Sequence, residues 1–475
     1  MTHQPSRDGA VARAAAHFAS GAFLADLSRR IAMKTESQSP DRGAELRAYL
    51  SDEMTPTLAG LGFTSTIVDN PVAGRGPFLI AERQEDPRLP TVLVYGHGDV
   101  VLGHEGRWRE GLDPWTVTVD GDRWYGRGIA DNKGQHSVNI AALAQVMAER
   151  GGSLGFNAKF LIEMGEEAGS PGLRAMAESH RDALAADVLI ASDGPRVIAE
   201  RPTIFLGSRG ALNFDLTVTL REGAHHSGNW GGLLANPGTI LANAIAALID
   251  QHGRIRLDAL KPPAIPPAVK TAIADLSVGG GPNDPAIDRD WGEPGLTPEE
   301  RVFGWNALEV LAFETGNPRA PVNAVPASAK ATLQLRFVVG TDPQAALAAI
   351  RAHFAANGFE QVQVTASRME TFAATRLDPT DPWVGWSLAS LARTTGKKPA
   401  LLPNLGGSIP NDVFAEVLGL PTIWVPHSYP ACSQHAPNEH MLGPVAEEAL
   451  RIMAGLFWDL GETGPSILAI KEAHR

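Results

Sequence analysis

The sequence of 475 residues contains one cysteine, Cys432. No internal disulfide can form, which fits a reducing compartment and excludes a disulfide-stapled secreted scaffold. No run approaches the ~18 consecutive apolar residues that cross a bilayer as a helix. The stretch from Met1 to Gly21 has no long apolar segment after its charges, so no secretory signal is expected and the cytoplasm is the default location. Basic residues are in the minority: 41 Lys and Arg against 53 Asp and Glu leave a formal net charge of −12. That balance disfavours nucleic acid and anionic membrane as partners. There is no internal repeat. What is present, 44 % apolar and 20 % charged residues, describes an ordinary soluble globular protein, and the length exceeds the usual single-domain size, so two domains are expected.

Along the first part of the chain, short apolar runs alternate with helical stretches. Phe23, Leu24, Leu27 and Ile31 lie at helical spacing. Thr91 to Tyr95 (TVLVY), Ala158 to Met164 (AKFLIEM) and Asp187 to Ala191 (DVLIA) have the pattern of buried strands, and Asn132 to Glu149 that of a helix. Strands separated by helices predict an α/β domain with a mostly parallel central sheet flanked by helices. Near Gly207 the pattern changes. Leu212, Phe214, Leu216, Val218 and Leu220 alternate with polar residues, as do Ala331, Leu333, Leu335 and Phe337. Helices follow from Pro237 and from about Pro343 to Ala356, with a strand at Val362 to Thr365, while Pro262 to Pro298 is expected to be irregular. These elements predict a smaller α+β insert with an antiparallel sheet and two helices over residues 208–370. The α/β pattern then resumes with a helix near Pro382 to Thr395 and the strand Thr422 to Val425. The larger domain is thus expected in two pieces, 1–207 and 371–475.

The ionisable residues sit where such a sheet places its site. His97 and Asp99 follow the first buried strand, Glu166 and Glu167 the second, and Asp193 the third. In an open α/β sheet ligands collect outside the carboxyl ends of the strands. Asp131 opens a helix after the turn Gly126 to Gly128, and His435 lies in a loop after the last apolar strand. One tetrahedral catalytic zinc uses three protein ligands. Five ligands suit two metals roughly 3.5–4 Å apart that share a carboxylate. Clustered carboxylates would otherwise repel and take up protons, whereas two dications cancel the charge and bring a bridging water toward neutral pKa. Singly, each residue has a plainer explanation: a structural histidine, a solvated Glu pair, or a helix cap for Asp131. Periodicity does not choose between His427, His435 and His440.

The stretches GHGDVV (Gly96 to Val101), GRGIADNKG (Gly126 to Gly134), MGEEAGSPG (Met164 to Gly172) and SDGP (Ser192 to Pro195) go further. So do HSGNWGG (His226 to Gly232), GGSIPND (Gly406 to Asp412) and HAPNE (His435 to Glu439). In content and order the chain resembles the dinuclear zinc peptidase family that includes carnosinase-type dipeptidases, carboxypeptidase G, aminoacylase and succinyl-diaminopimelate desuccinylase. The resemblance implies that His97 and Asp193 bind one metal, Glu167 and His435 the other, and that Asp131 bridges them. It implies two divalent cations, zinc first, with manganese or cobalt as alternatives. Glu166 becomes the general base and later acid, and Asp99 the group that orients His97.

The insert becomes the family's lid and dimerisation domain, and the chain is expected to be a homodimer. His226 occupies the motif position of a lid histidine that reaches the partner subunit's site, with His225 beside it as the alternative. Arg336, on the polar face with Thr332 and Gln334, matches an arginine that holds the substrate's carboxylate, for which a planar fork of two donors is suited. Ser408 and Gly407 of GGSIP add to the same grip. The resemblance therefore implies hydrolysis of a peptide or amide bond in a dipeptide or similar small substrate. The alternative is hydrolysis of N-acyl amino acids or other amides by the same machinery. A silent peptide-binding homologue would have lost the base or a ligand, and every such position is filled here. Residues 258–305 match no motif, and Trp230, Trp291 and Trp305 are candidates to shape the pocket.

Overall fold

The computed structural model describes residues 4–279, 285–367 and 372–473. The chain forms two compact units, one of residues 1–207, 377–403 and 410–475, the other of residues 208–376 and 404–409. The segment 404–409, which carries Gly407 and Ser408, thus groups with the second unit rather than with the chain that flanks it.

The first unit is built on an eight-stranded sheet. Its strands lie in the order Thr64–Val68, Phe78–Arg83, Asn157–Glu163, Thr91–His97, Val188–Ala191, Thr422–Trp424, Thr203–Phe205 and Ala400–Leu402. The four central strands are mutually parallel. Antiparallel pairing enters at Phe78–Arg83 on one side and at Thr203–Phe205 on the other. The central strands are almost entirely buried and mostly apolar because both faces are covered, as parallel sheets require. Asn157–Glu163 is buried along its whole length. The helix Lys133–Glu149 is likewise buried on nearly all sides, which explains why it lacks a clear apolar stripe. It packs against the 31-residue C-terminal helix Gly443–Ala473. The N-terminal helix Arg7–Ala19 is fastened to both by ion pairs, Arg7 to Asp459 at 3.0 Å and Arg13 to Glu149 at 2.7 Å. Phe23, Leu27 and Ile31 of the next helix are fully buried in this core.

The second unit holds a four-stranded antiparallel sheet in the order Ala307–Thr315, Ser328–Phe337, Gly210–Thr219, Gln363–Ala366. The helices Pro237–Leu248 and Pro343–Ala356 cover one face, where Leu212, Phe214, Leu216 and Val218 meet Leu241, Leu333, Leu347 and Ile350. The other face is polar and cross-linked: Thr332 donates to Asp215 at 2.7 Å and Gln334 to Asn213 at 2.9 Å. Pro262 to Pro298 is not irregular throughout, because Pro267–Ile273 forms a short helix that starts on its proline. Among the described residues no helix is long and apolar enough to cross a membrane.

Candidate active site

Three of the central parallel strands of the first unit end at the same edge, and each delivers an acid or an imidazole there. His97 is the last residue of its strand. Glu166 and Glu167 occupy a single helical turn just after Asn157–Glu163, and Asp193 stands two residues after Val188–Ala191. Asp131 lies just before the helix Lys133–Glu149. His435 comes from the loop before the strand His440–Leu442, in a left-handed conformation with φ 61°.

The side chains converge. Asp131 Oδ1 lies 3.0 Å from His97 Nε2, and its Oδ2 lies 3.1 Å from His435 Nε2. His435 Nε2 is also 3.0 Å from Glu167 Oε2, and His97 Nε2 is 3.7 Å from Asp193 Oδ2. Two groups of donor atoms result, His97–Asp131–Asp193 and Asp131–Glu167–His435, each with its atoms within 4.8 Å of one another. Asp131 belongs to both and offers a different oxygen to each. Glu166 belongs to neither; its Oε2 stands 3.9 Å from His97 Nε2. Of the three histidines that periodicity left open, His427 is buried against Ser192 Oγ at 3.1 Å and His440 against the Tyr429 hydroxyl at 2.6 Å. Only His435 faces the acids.

This donor set fits divalent cations. His97 Nδ1 lies 3.1 Å from the main-chain carbonyl of Asp99, which can only accept. The Nδ1 proton is therefore assigned there, and Nε2 turns its lone pair toward the acids. Without positive charge the cluster is forced to hold protons. Burial, and then Asp131, push Glu167 up to about 7 and Asp193 up to about 6. Burial, opposed by His97 and reinforced by the neighbouring carboxylates, raises Glu166 well above the usual range. Hydrogen bonds to Asp131 and Glu167 push His435 up to about 11. Acids that repel and imidazoles held charged are the condition that bound cations relieve.

Asp99 meets both His97 and the turn that carries the glutamates. The ring of His97 bonds to its main-chain carbonyl, while its carboxylate, 3.5 Å from Nδ1, accepts the amides of Glu166 at 3.1 Å and Glu167 at 3.0 Å. It ties the His97 strand to the turn that carries both glutamates. Asn132, unremarked in the sequence, donates to the Ser192 carbonyl at 2.8 Å and so fixes the approach to Asp193. Its Oδ1 faces His136, whose other nitrogen meets the Tyr49 hydroxyl at 2.7 Å. Gly96 is required beside this packing, since a Cβ there would come within 2.5 Å of His136 Cβ.

The remaining candidates lie in the second unit. His226 is exposed and caps the short helix Ser227–Trp230, its Nδ1 accepting the Gly228 amide at 3.1 Å. That bond leaves Nε2 as the protonated nitrogen. His225 packs edge-on against Trp230. Arg336 Nη1 donates to Ser408 Oγ at 2.8 Å, its Nε donates to Gln334 at 2.9 Å, and Ser408 donates to the Arg209 carbonyl at 2.7 Å. Arg209, a buried guanidinium that donates to the main-chain carbonyl of the half-buried Arg336 at 3.3 Å, had no signal in the sequence. Trp291 lies over Gly253 and is half exposed, and Trp230 is similarly exposed, so neither forms a closed wall.

The model of peptidase family M20/M25/M40 matches residues 93–459. The chain belongs to this family. The rat β-Ala-His dipeptidase is 35 % identical over 182 residues, 38 % of this chain and 36 % of the relative. The cysteinylglycine-S-conjugate dipeptidase of Corynebacterium striatum is 29 % identical over 308 residues, 62 % of this chain and 65 % of the relative. The matches thus span between about a third and two thirds of those relatives. The fold is shared with an M20 metallo-carboxypeptidase from Sulfolobus solfataricus, with a TM-score of 0.79 and 23 % identity over 93 % of this chain and 99 % of the other. Membership in this peptidase family implies divalent metal ions at the site.

Proposed function

We propose that this M20 peptidase cleaves a dipeptide or similar small amide with a free carboxylate, at a site that holds two divalent cations, zinc first. The observation that carries this reading is Asp131, whose two oxygens face His97 and His435 and so serve two donor groups at once. His97 and Asp193 complete one group, Glu167 and His435 the other. Bound cations would neutralise the acids, polarise the scissile carbonyl and bring a water toward neutral pKa. Every other part falls to the chain. Glu166, outside both groups and buried, takes the proton of the attacking water and returns it to the leaving amine. Asp99 holds the turn that sets Glu166 and Glu167 in place.

In the second unit Arg336 binds the substrate's carboxylate through its fork, with Ser408 Oγ and the backbone at Gly407 beside it. Its Nε and Nη1 are already braced by Gln334 and Ser408, which fixes the guanidinium plane before substrate arrives. His226 presents a protonated Nε2, suited to stabilise charge on the carbonyl oxygen. Its exposure agrees with action across a homodimer. The edge strand Ala307–Thr315, with Val310, Leu311 and Phe313 exposed, supplies an apolar surface for that dimer. A cytoplasmic location and the absence of nucleic-acid and membrane partners complete the reading.

The test is chelator-stripped protein reloaded with zinc, manganese or cobalt and assayed on dipeptides, the same dipeptides amidated at the C-terminus, and N-acyl amino acids. Turnover of free dipeptides that falls sharply on amidation is expected. Equal turnover of amidated substrates would overturn the role of Arg336. Exclusive turnover of N-acyl amino acids would replace the dipeptide.

A further inference from the structure

Glu439 closes the stretch that begins at His435, yet no step above uses it. It is 1 % exposed, and both of its carboxylate oxygens are hydrogen-bonded. Its Oε1 accepts the amides of Ala130 at 2.9 Å and Asp131 at 3.1 Å. Its Oε2 accepts the amide of Gly128 at 3.1 Å and Nη1 of Arg127 at 2.6 Å. Its own carbonyl accepts the Gly126 amide at 3.1 Å. One residue therefore fastens the whole turn from Gly126 to Asp131 to the loop that presents His435.

The chemistry demands a carboxylate. Burying a charge is costly unless it is paired and hydrogen-bonded, and here Arg127 supplies the counter-charge while three amides saturate the oxygens. Glutamine has one acceptor oxygen. Its NH2 would point donors at backbone amides or at Arg127, where only acceptors are tolerated.

The two donor groups depend on this fastening unequally. His97 is held by its strand and by the Asp99 carbonyl, and Asp193 by Asn132 through Ser192 and by the Gly194 amide at 2.6 Å. His435 stands on a loop with a left-handed residue at its own position, and its Nε2 meets Asp131 across two segments that Glu439 joins.

We propose that Glu439 is a positioning residue of the metal centre. It sets the separation of Asp131 and His435, and it governs cation affinity in the Asp131–Glu167–His435 group more than in the His97–Asp131–Asp193 group. This rests on the two-cation reading above.

The experiment is calorimetric titration of zinc into the chelator-stripped full chain, read as two binding steps. In Glu439→Gln one step weakens by roughly 10–100-fold, the range typical of lost outer-sphere support, while the other keeps its affinity. Glu439→Gln also strands the charge of Arg127 and lowers the melting temperature. The double variant Arg127→Gln, Glu439→Gln removes the stranded charge. It is expected to regain stability without regaining the weakened step, a split that a purely structural role does not produce. Should either variant fail to fold, Arg127→Lys keeps the charge but not the guanidinium geometry, and it weakens the same step to a smaller degree. Unchanged affinities, or both steps weakened alike, would overturn the proposal. A wild-type protein with fewer than two steps would overturn the two-cation reading instead.

Discussion

Glu166 and Glu167 are neighbours in the chain with different surroundings, and the difference assigns their work. Glu167 points one oxygen at His435 from 3.0 Å, while Glu166 stands outside both donor groups. Replacing Glu166 with glutamine preserves shape but removes the ability to accept a proton. For Glu166→Gln we expect kcat to fall by roughly 10²–10⁴, the usual worth of a general base, with KM and bound metal little changed. Glu167→Gln should instead lose metal. Steady-state kinetics beside elemental analysis separates the two, and full turnover by Glu166→Gln would remove it as the base. The candidate ligands were legible because each side chain closes an apolar run or sits in a distinctive motif. Asn132, Arg209 and Glu439 were not, because most of their partners are backbone carbonyls and amides, beside the side chains of His136 for Asn132 and Arg127 for Glu439. Such partners leave no trace in residue spacing. Asp99 was legible as the neighbour of His97, whose ring its main-chain carbonyl meets at 3.1 Å, but its grip on the amides of Glu166 and Glu167 was not, for the same reason.

At the scale of elements, strands with one dry face or two were readable. Thr91–His97 and Asn157–Glu163 are mostly apolar and buried on both faces, and Gly210–Thr219 alternates because only one face is covered. The strand Ala307–Thr315 escaped notice because nearly every residue in it is at least partly exposed, so burial imposes no period on its sequence. The helix Pro267–Ile273 was hidden by its brevity and its surrounding prolines. The exposed strand is also the one with a consequence. It lies at the edge of its sheet with Leu311 54 % and Phe313 42 % exposed, and charges on such an edge oppose pairing with another chain. Leu311→Lys with Phe313→Lys should leave the fold intact by circular dichroism, give a monomer in sedimentation velocity, and depress turnover wherever His226 serves the partner. A monomer with full activity would show that His226 does not act in trans.

For the whole molecule, the buried acids tie stability to metal and pH together. In the metal-free protein Glu167 is pushed up to about 7, Asp193 to about 6 and Glu163 to about 8, each chiefly by burial. An unfolded chain would release those protons near pH 4. These acids therefore keep protons in the folded state that an unfolded chain has released between about pH 4 and 8, and their contribution to stability falls as pH rises through that window. His136 and His427, lowered by burial, and Lys133, lowered to about 7 by burial, act against it but are outnumbered by the raised acids of the cluster. His435, raised to about 11 by Asp131 and Glu167, acts in the same direction above about pH 6.5, where an unfolded histidine loses its proton. Asp131, held well below the usual range because His435 and His97 outweigh its burial, has its transition below this window and does not reverse the trend. Bound cations replace the protons, so loaded protein escapes the loss. The melting temperature of chelated protein should drop steadily from pH 5 to pH 8, while the gain on adding zinc widens over the same range. Differential scanning calorimetry with and without chelator measures both curves. A chelated protein that grows more stable with rising pH would mean that these acids are ionised without any cation to hold them, and the central cluster would lose its reason to bind metal.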